Sequence, residues 1–159
     1  MYIEIDGWKI GLTFSSAHLI PGHSKCSRMH GHQYGIKVKI HGNEVKGMIV
    51  DFHYLKDILR NFREMIDHRL ILPIPGKSDF IHVEVKEETA YVSFDNKKYS
   101  LPVGDCIFLP IQVPTAENLS AYLAEVLAKE MKKFENINKV EACIDEGAGQ
   151  GVWHSLELK

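Results

Sequence analysis

The sequence predicts an α+β domain in which helices cover one face of an antiparallel sheet. Two kinds of periodicity support this class. Apolar and polar residues alternate in four segments, as in half-buried strands, and apolar residues recur every three or four positions in two others, as in amphipathic helices. The third observation is their order, with two strands before the helices and two after them, which is typical of an α+β domain.

The four core strands are predicted from this alternation. The first covers residues 8–14 and the second covers residues 34–40, where Gly42 and Asn43 end the apolar run. The last two lie near residues 140–145 and 152–158. Together they predict a four-stranded antiparallel sheet.

The two helices are predicted from both periodicity and capping. Asp51 can accept an N–H of the first turn as an N-cap, and an apolar stripe follows it. The second helix is expected after Pro114 and Thr115, with Glu117 in its first turn. Between the helices, residues 77–112 are predicted to be a β-hairpin or small meander inserted into a single domain of residues 1–159.

Composition excludes several classes of protein. The chain has 159 residues, 45% of them hydrophobic and 25% charged, with a net charge of −2. This suits one compact domain, and near-neutral charge argues against a nucleic-acid partner. No apolar run approaches the roughly 20 residues of a membrane span, and residues 1–10 lack a signal-peptide pattern. Three widely spaced cysteines favour the reducing cytoplasm over a disulfide framework.

The clearest functional pattern is a cluster of histidines. Four of the nine histidines lie in one short segment with Cys26, namely His18, His23, His30 and His32. If the second strand extends back to residue 30, His30 and His32 project from one face, and Gly31 leaves the space between them open. His18, at the end of the preceding strand, or else His23, can approach them. Three imidazoles with an open position are typical of catalytic zinc, whereas a chance His-Gly-His pair is the alternative.

Other reactive residues have two interpretations each. Cys26 can close the zinc site as a fourth, structural ligand, or act as a base or nucleophile beside an open one. Asp67 and His68 can relay a proton, or simply end a helix. Glu146 can accept two hydrogen bonds from the N–H and NH₂ edge of a pterin or guanine, or be a solvated turn acid. The glycines after Glu146 precede a strand, which excludes a dinucleotide-binding loop.

Taken in order, these motifs resemble the 6-pyruvoyltetrahydropterin synthase and 6-carboxytetrahydropterin synthase family. The resembling segments are FSSAH (14–18), GHSKCSRMHGH (22–32), VDFHYLK (50–56), IDHRLI (66–71), PTAEN (114–118) and the loop at Glu146. They cover most of the chain outside residues 77–112.

The resemblance implies a set of residue roles and an assembly. It implies the tunnelling fold in a homohexamer formed from two trimers. It also implies zinc held by His18, His30 and His32, with Cys26 as the general base. Asp67 and His68 match a proton-relay pair that can act across a subunit interface. The residues matching the pterin-binding positions are Glu146, which anchors the ring, and Thr115 and Glu117.

The implied substrate is 7,8-dihydroneopterin triphosphate. The spacing of three residues between Cys26 and His30 resembles the enzymes that form 6-carboxy-5,6,7,8-tetrahydropterin with release of acetaldehyde and triphosphate, in queuosine-type pathways. The alternatives are triphosphate elimination to the 6-pyruvoyl product or another dihydropterin side-chain reaction. A noncatalytic zinc- or pterin-binding module and a purely structural zinc are further alternatives.

Overall fold

The computed structural model describes residues 1–158, which form two sheets and three α-helices. In chain order the elements are β1 (Tyr2–Asp6), α1 (Gly7–Ile10), β2 (Thr13–His18), β3 (His30–Gly42), α2 (Phe52–Ile66), β4 (Leu70–Pro73), β5 (His82–Lys86), β6 (Thr89–Phe94), β7 (Lys97–Pro102), a 3₁₀ turn (Val103–Asp105), β8 (Cys106–Leu109), α3 (Ala116–Met131), β9 (Ile137–Glu146) and β10 (Gly151–Glu157). This confirms the predicted α+β class.

The main sheet is larger than the sequence predicts. It has seven strands in the order β10-β9-β3-β2-β4-β8, and β1 pairs with β3 beyond the end of β2. The predicted four-stranded antiparallel sheet is therefore wrong in strand number and in direction, because β4 pairs in parallel with both β2 and β8. All four residues of β4 are buried, so this strand shows no alternation by which the sequence could reveal it.

The first predicted strand is also corrected at its start. Residues 7–10 form the single turn α1, capped by Asp6, whose side chain accepts a hydrogen bond from the Trp8 amide, and ended by Gly11 in a left-handed conformation. The strand β2 begins only at Thr13. The Trp8 indole N–H donates to Asp145 at 2.8 Å, a contact 137 residues away that the local pattern cannot show.

The helices α2 and α3 begin where predicted. Asp51 caps α2 by accepting a hydrogen bond from the His53 amide at 2.7 Å, and Thr115 caps α3 through the Asn118 amide. Their apolar faces cover one face of the main sheet, and the largest core cluster joins them to alternate residues of β3, including Ile36, Val38 and Ile40. His30 and His32 lie on this same face of β3, because each is an even number of residues before Ile36.

The segment between α2 and α3 forms the separate three-stranded sheet β5-β6-β7. Asp95 and Asn96 form the turn between β6 and β7. This meander (His82–Pro102) buries one face in a second apolar cluster with Leu19, Leu70 and Leu72. The strand β8 follows it and lies within residues 77–112, but it belongs to the main sheet.

Candidate metal centre and active site

Pairing of β2 with β3 brings the three predicted histidines together. His18 lies opposite His30 in the antiparallel register, and His32 lies two residues further along β3 on the same face. One ring nitrogen from each residue falls within 4.8 Å of the others. His18 is fully buried, whereas His30 and His32 are half-buried. His23 lies outside this group.

Backbone carbonyls orient two of these rings. The Nδ1 atom of His18 lies 2.7 Å from the Pro114 carbonyl, and the Nδ1 atom of His30 lies 2.7 Å from the Arg28 carbonyl. Because a carbonyl oxygen only accepts, each Nδ1 must carry the proton. The two Nε2 atoms, which lie 3.1 Å apart, then present lone pairs to each other.

Such a contact between two lone pairs is unfavourable unless a proton or a metal cation lies between them. Burial lowers the pKa of His18 to about 4, and the neighbouring His30 and His32 act in the same direction against the raising effect of the Pro114 carbonyl. Protonation is therefore disfavoured near neutral pH. Three imidazoles, two of them with outer hydrogen bonds to carbonyls, fit a zinc ion well.

The role predicted for Gly31 is corrected by the structure. A Cβ atom at this position would lie 2.7 Å from the Ser16 carbonyl oxygen of the neighbouring strand. The glycine therefore permits close approach of the β2 and β3 backbones, instead of opening space between the two imidazoles. This close approach sets the distance between His18 and the two histidines of β3.

Cys26 lies in the loop between β2 and β3 as a free, half-buried thiol. Within residues 1–158, its sulfur is not a member of the three-histidine group. This arrangement does not favour the structural four-ligand site that the spacing had left open. The structure therefore does not assign the Cys26 thiol a ligand role within residues 1–158.

Asp67 and His68 are held against the edge of β2. The Asp67 carboxylate accepts a hydrogen bond from the Ser15 amide at 2.8 Å, and the His68 amide donates to the Ser15 carbonyl at 2.7 Å. The His68 ring lies 3.0 Å from the same carboxylate. Burial opposes ionisation of Asp67, but the hydrogen bonds from Ser15 and His68 outweigh it and lower the pKa of the carboxyl.

His68 shares a cavity with the candidate metal centre. It lines a cavity of about 600 Å³ together with His32 and Arg69. Its ring is 82% exposed, so it is free to meet a substrate or a second chain. His68 directly follows Asp67, the C-cap of α2, and its imidazole also lines the open cavity, so the helix-end position does not exclude a role in proton transfer.

A second cavity collects the three residues predicted to bind a pterin. Thr115, Glu117 and Glu146 line a cavity of about 430 Å³, although α3 and β9 supply them from distant parts of the chain. The Glu146 carboxylate also lies 3.9 Å from His18 Nδ1 and 4.0 Å from His32 Nε2. The cavity therefore presents acceptor oxygens to a ligand edge rich in N–H groups, next to the histidine cluster.

One further residue of the site was not predicted from the sequence. The Tyr34 ring packs edge-on against His18 and His32, and its buried hydroxyl has no hydrogen-bond partner within residues 1–158. Its position two residues after His32 on one strand could have placed it on the same face. Asp145, which is 1% exposed and binds Lys37 at 3.0 Å, projects from the opposite face of β9 to Glu146 and is not part of this site.

These features define an α+β domain with a histidine cluster between two strands and an acid-lined pocket beside it. Residues 9–154 match the family model described as 6-pyruvoyl tetrahydropterin synthase, and the chain belongs to this enzymatic family. Within residues 1–158, no helix is both long enough and apolar enough to span a bilayer.

Similar proteins carry the names of two different reactions. A Methanocaldococcus jannaschii protein, provisionally named 6-carboxy-5,6,7,8-tetrahydropterin synthase, is 40% identical over 165 residues that cover all of both chains. The Rickettsia felis 6-carboxy-5,6,7,8-tetrahydropterin synthase is 31% identical over 70% of this chain and 72% of its own. The structure of Plasmodium falciparum 6-pyruvoyl tetrahydropterin synthase matches with a TM-score of 0.87 and 27% identity, covering 99% of this chain and 98% of that one.

Proposed function

We propose that this protein is a cytoplasmic, zinc-dependent lyase that acts on 7,8-dihydroneopterin triphosphate. The reaction consumes one water and gives 6-carboxy-5,6,7,8-tetrahydropterin, acetaldehyde and triphosphate. The observation that carries the proposal is the convergence of three imidazoles, two of which are fixed by carbonyls with their Nε2 lone pairs facing each other. The names of the curated relatives support the carboxy product.

His18, His30 and His32 would hold the metal. When bound, zinc supplies a Lewis acid that polarises the side-chain hydroxyls of the substrate. Glu146 would accept two hydrogen bonds from the N–H and NH₂ edge of the pterin, with Thr115 and Glu117 completing that pocket. These contacts would fix the ring so that its side chain points towards the histidines.

Proton transfer would fall to the other predicted residues. The Cys26 thiolate would remove a proton from the substrate side chain, and His68 would return or relay protons. The ionised Asp67 carboxylate, held by Ser15, would orient the His68 ring and stabilise its protonated form. A catalytic thiol and a zinc with a free position are both required for this division of roles.

The deciding experiment is product analysis. The zinc-loaded protein is incubated with 7,8-dihydroneopterin triphosphate, and the pterin and any acetaldehyde are identified. We expect both 6-carboxy-5,6,7,8-tetrahydropterin and acetaldehyde. A 6-pyruvoyl product without acetaldehyde would instead support the second candidate, which the structural match to the Plasmodium falciparum synthase favours.

The variant Cys26→Ala distinguishes a catalytic protein from one that only binds zinc or a pterin. Cys26→Ala should abolish turnover while zinc content and pterin binding stay at wild-type levels. If Cys26→Ala turns over substrate as fast as the wild type, the assignment of the base is wrong. If neither protein produces any new pterin, the noncatalytic zinc- or pterin-binding module becomes the better account.

We also propose that the protein assembles as a homohexamer of two trimers. The main sheet ends in β10 on one side and β8 on the other, and each of these edge strands pairs with only one neighbour within residues 1–158. Open edges of this kind invite pairing with another copy of the chain. The exposed position of His68 suits a role at such an interface.

A further inference from the structure

The loop that carries Cys26, residues 19–29, has a defined internal shape. The Ile20 amide donates to the Cys26 carbonyl at 2.8 Å, and the Cys26 amide donates to His23 Nδ1 at 3.1 Å. The Ser27 amide donates to the His23 carbonyl at 3.0 Å. Because both partners of each bond lie inside the loop, these bonds fix its shape but not its position relative to the histidines.

The tip of the meander holds this loop from outside. Asp95, at the turn between β6 and β7, accepts a hydrogen bond from the Gly22 amide at 3.1 Å. Lys97, the first residue of β7, donates from its ammonium group to the Ser27 carbonyl at 2.5 Å and to the Ser27 hydroxyl at 2.8 Å. Ser27 directly follows Cys26, so Lys97 fixes the chain one residue from the thiol.

The same meander also anchors the start of the loop. Leu19, the residue after the metal-ligand candidate His18, is 0% exposed and packs in the apolar cluster formed with the meander. Val83, Val92 and Phe94 supply the buried face of the three strands. The loop is therefore attached to one rigid element by an apolar contact at its base and by polar contacts on both sides of Cys26.

We propose that the β5-β6-β7 meander positions the Cys26 thiol, and that Asp95 and Lys97 are the positioning residues at its tip. This inference rests on the proposed role of Cys26 as the base. A base must lie within hydrogen-bond reach of the proton it removes, and misplacement by about 1 Å can cost on the order of 100-fold in rate. The meander thus contributes to catalysis by positioning Cys26, although it supplies none of the three clustered histidines.

The test compares three lysine variants of the full-length, zinc-loaded protein. Lys97→Met removes the hydrogen bonds to Ser27, Lys97→Arg keeps a donor there, and Lys98→Met alters the neighbouring lysine on the exposed face of β7. Three readouts are measured: amide hydrogen exchange of residues 19–29, the rate of iodoacetamide alkylation of Cys26, and the kcat and KM for 7,8-dihydroneopterin triphosphate. Cys26→Ala supplies the alkylation background, because Cys106 and Cys143 are buried.

For Lys97→Met we expect at least threefold faster exchange and alkylation and a kcat lowered about tenfold, with KM changed less than twofold. Lys97→Arg should recover most of the kcat, and Lys98→Met should match the wild type. Equal exchange and alkylation in Lys97→Met and Lys98→Met would overturn the proposal, as would faster exchange with an unchanged kcat. If the wild-type protein forms no pterin product, the proposed function is refuted instead. Faster exchange and alkylation in Lys97→Met would then still support the conclusion that the meander holds the Cys26 loop.

Discussion

At the scale of single residues, two backbone carbonyls determine what the histidine cluster can bind. The carbonyls of Pro114 and Arg28 each accept from the Nδ1 atom of a ring, which turns the Nε2 atoms of His18 and His30 towards a common point. Outer partners of this kind fix the tautomer and raise the basicity of a metal ligand. The chemistry of the site therefore depends on where two backbone carbonyl oxygens lie. Every residue carries such an oxygen, so the residue types alone do not reveal this.

Removing one of these ligands tests the metal centre. For His30→Ala we expect zinc affinity to fall by at least about 100-fold, which is at the upper end of losses caused by removing an outer partner. The measurement is zinc titration of the chelator-treated protein, with bound metal counted by mass spectrometry. His53→Ala, which changes an 88% exposed histidine, is the matched control and should bind zinc normally. Equal affinity in both variants would refute the three-histidine site.

Glu146 offers a second test at this scale. Glu146→Gln replaces an acceptor-only carboxylate by an amide, so one of two charge-assisted hydrogen bonds to the pterin edge is lost. A loss of about 1.5–3 kcal/mol corresponds to roughly 10–150-fold weaker binding. Binding of 7,8-dihydroneopterin can be followed by calorimetry. Glu157→Gln, at the end of β10, is the control, and equal weakening in both variants would contradict the assigned role.

At the scale of elements, the pairing of β2 with β3 sets the geometry of the three-histidine cluster. Gly31→Ala would place a methyl group 2.7 Å from the Ser16 carbonyl oxygen, a backbone atom that cannot move aside cheaply. We expect a loss of about 1–3 kcal/mol in the free energy of unfolding, together with weaker zinc binding, because His30 and His32 would shift away from His18. Both quantities can be measured by urea titration and zinc titration.

The control for this variant is Gly104→Ala in the 3₁₀ turn. A Cβ atom there meets no heavy atom within 4 Å, so its stability should stay within about 0.5–1 kcal/mol of the wild type. If Gly31→Ala is as stable as Gly104→Ala and binds zinc normally, close approach of the two strands does not set the metal geometry.

The junction between α2 and β2 should make stability depend on pH. The pKa of Asp67 is lower in the folded protein than in the unfolded chain, so its contribution is complete above about pH 4 and is lost as the pH falls through the folded value. For Asp67→Ala we expect a loss of about 1 kcal/mol at pH 7 that becomes smaller as the pH falls below about 4. Urea unfolding between pH 7 and pH 3 measures this difference. A constant difference over the whole range would contradict the assignment.

The control at this junction is Asp57→Ala, which changes a 66% exposed carboxylate paired with Arg60 on the surface of α2. Surface pairs of this kind contribute about 0–1 kcal/mol. We expect a smaller effect than that of Asp67→Ala at pH 7, because Asp57 holds no backbone amide of a neighbouring strand.

At the scale of the whole molecule, two apolar cores hold the site between them. The larger core joins α2 and α3 to the main sheet, and the smaller core joins the meander to β4 and Leu19. The histidine cluster lies at the end of β2, between the larger core and the smaller core that buries Leu19. The molecule therefore positions the three histidines and the thiol with different elements.

The proposed assembly gives a prediction at this scale. Native mass spectrometry of the metal-loaded protein should show a mass of six chains, because the open edges of β8 and β10 would pair with other copies. Light scattering during size-exclusion chromatography checks the same quantity in solution. A monomer at a protein concentration of about 50 μM would contradict the hexamer, since assemblies joined by strand pairing are commonly stable at that concentration.

Sequence patterns predicted the elements that have an exposed face. The strand β3 and the helix α2 each bury one face, so alternation and the three-to-four spacing reveal them. The strands β4 and β8 are short apolar segments, and a strand of this kind cannot be distinguished from other buried chain by periodicity. Residues 8–10 alternate like a strand, but the Asp6 cap and Gly11 close a helical turn instead.

The sequence by itself determined the residue types, their spacing and the helix starts at Asp51 and Thr115, because these depend on chain-local stereochemistry. Only the tertiary structure decided which nitrogen of His18 faces the metal position, since the orienting carbonyl of Pro114 is 96 residues away. It alone brought Thr115 and Glu146 into one pocket and Lys97 against the Cys26 loop. Contacts of this range arise from packing of whole elements, and no local pattern encodes their geometry.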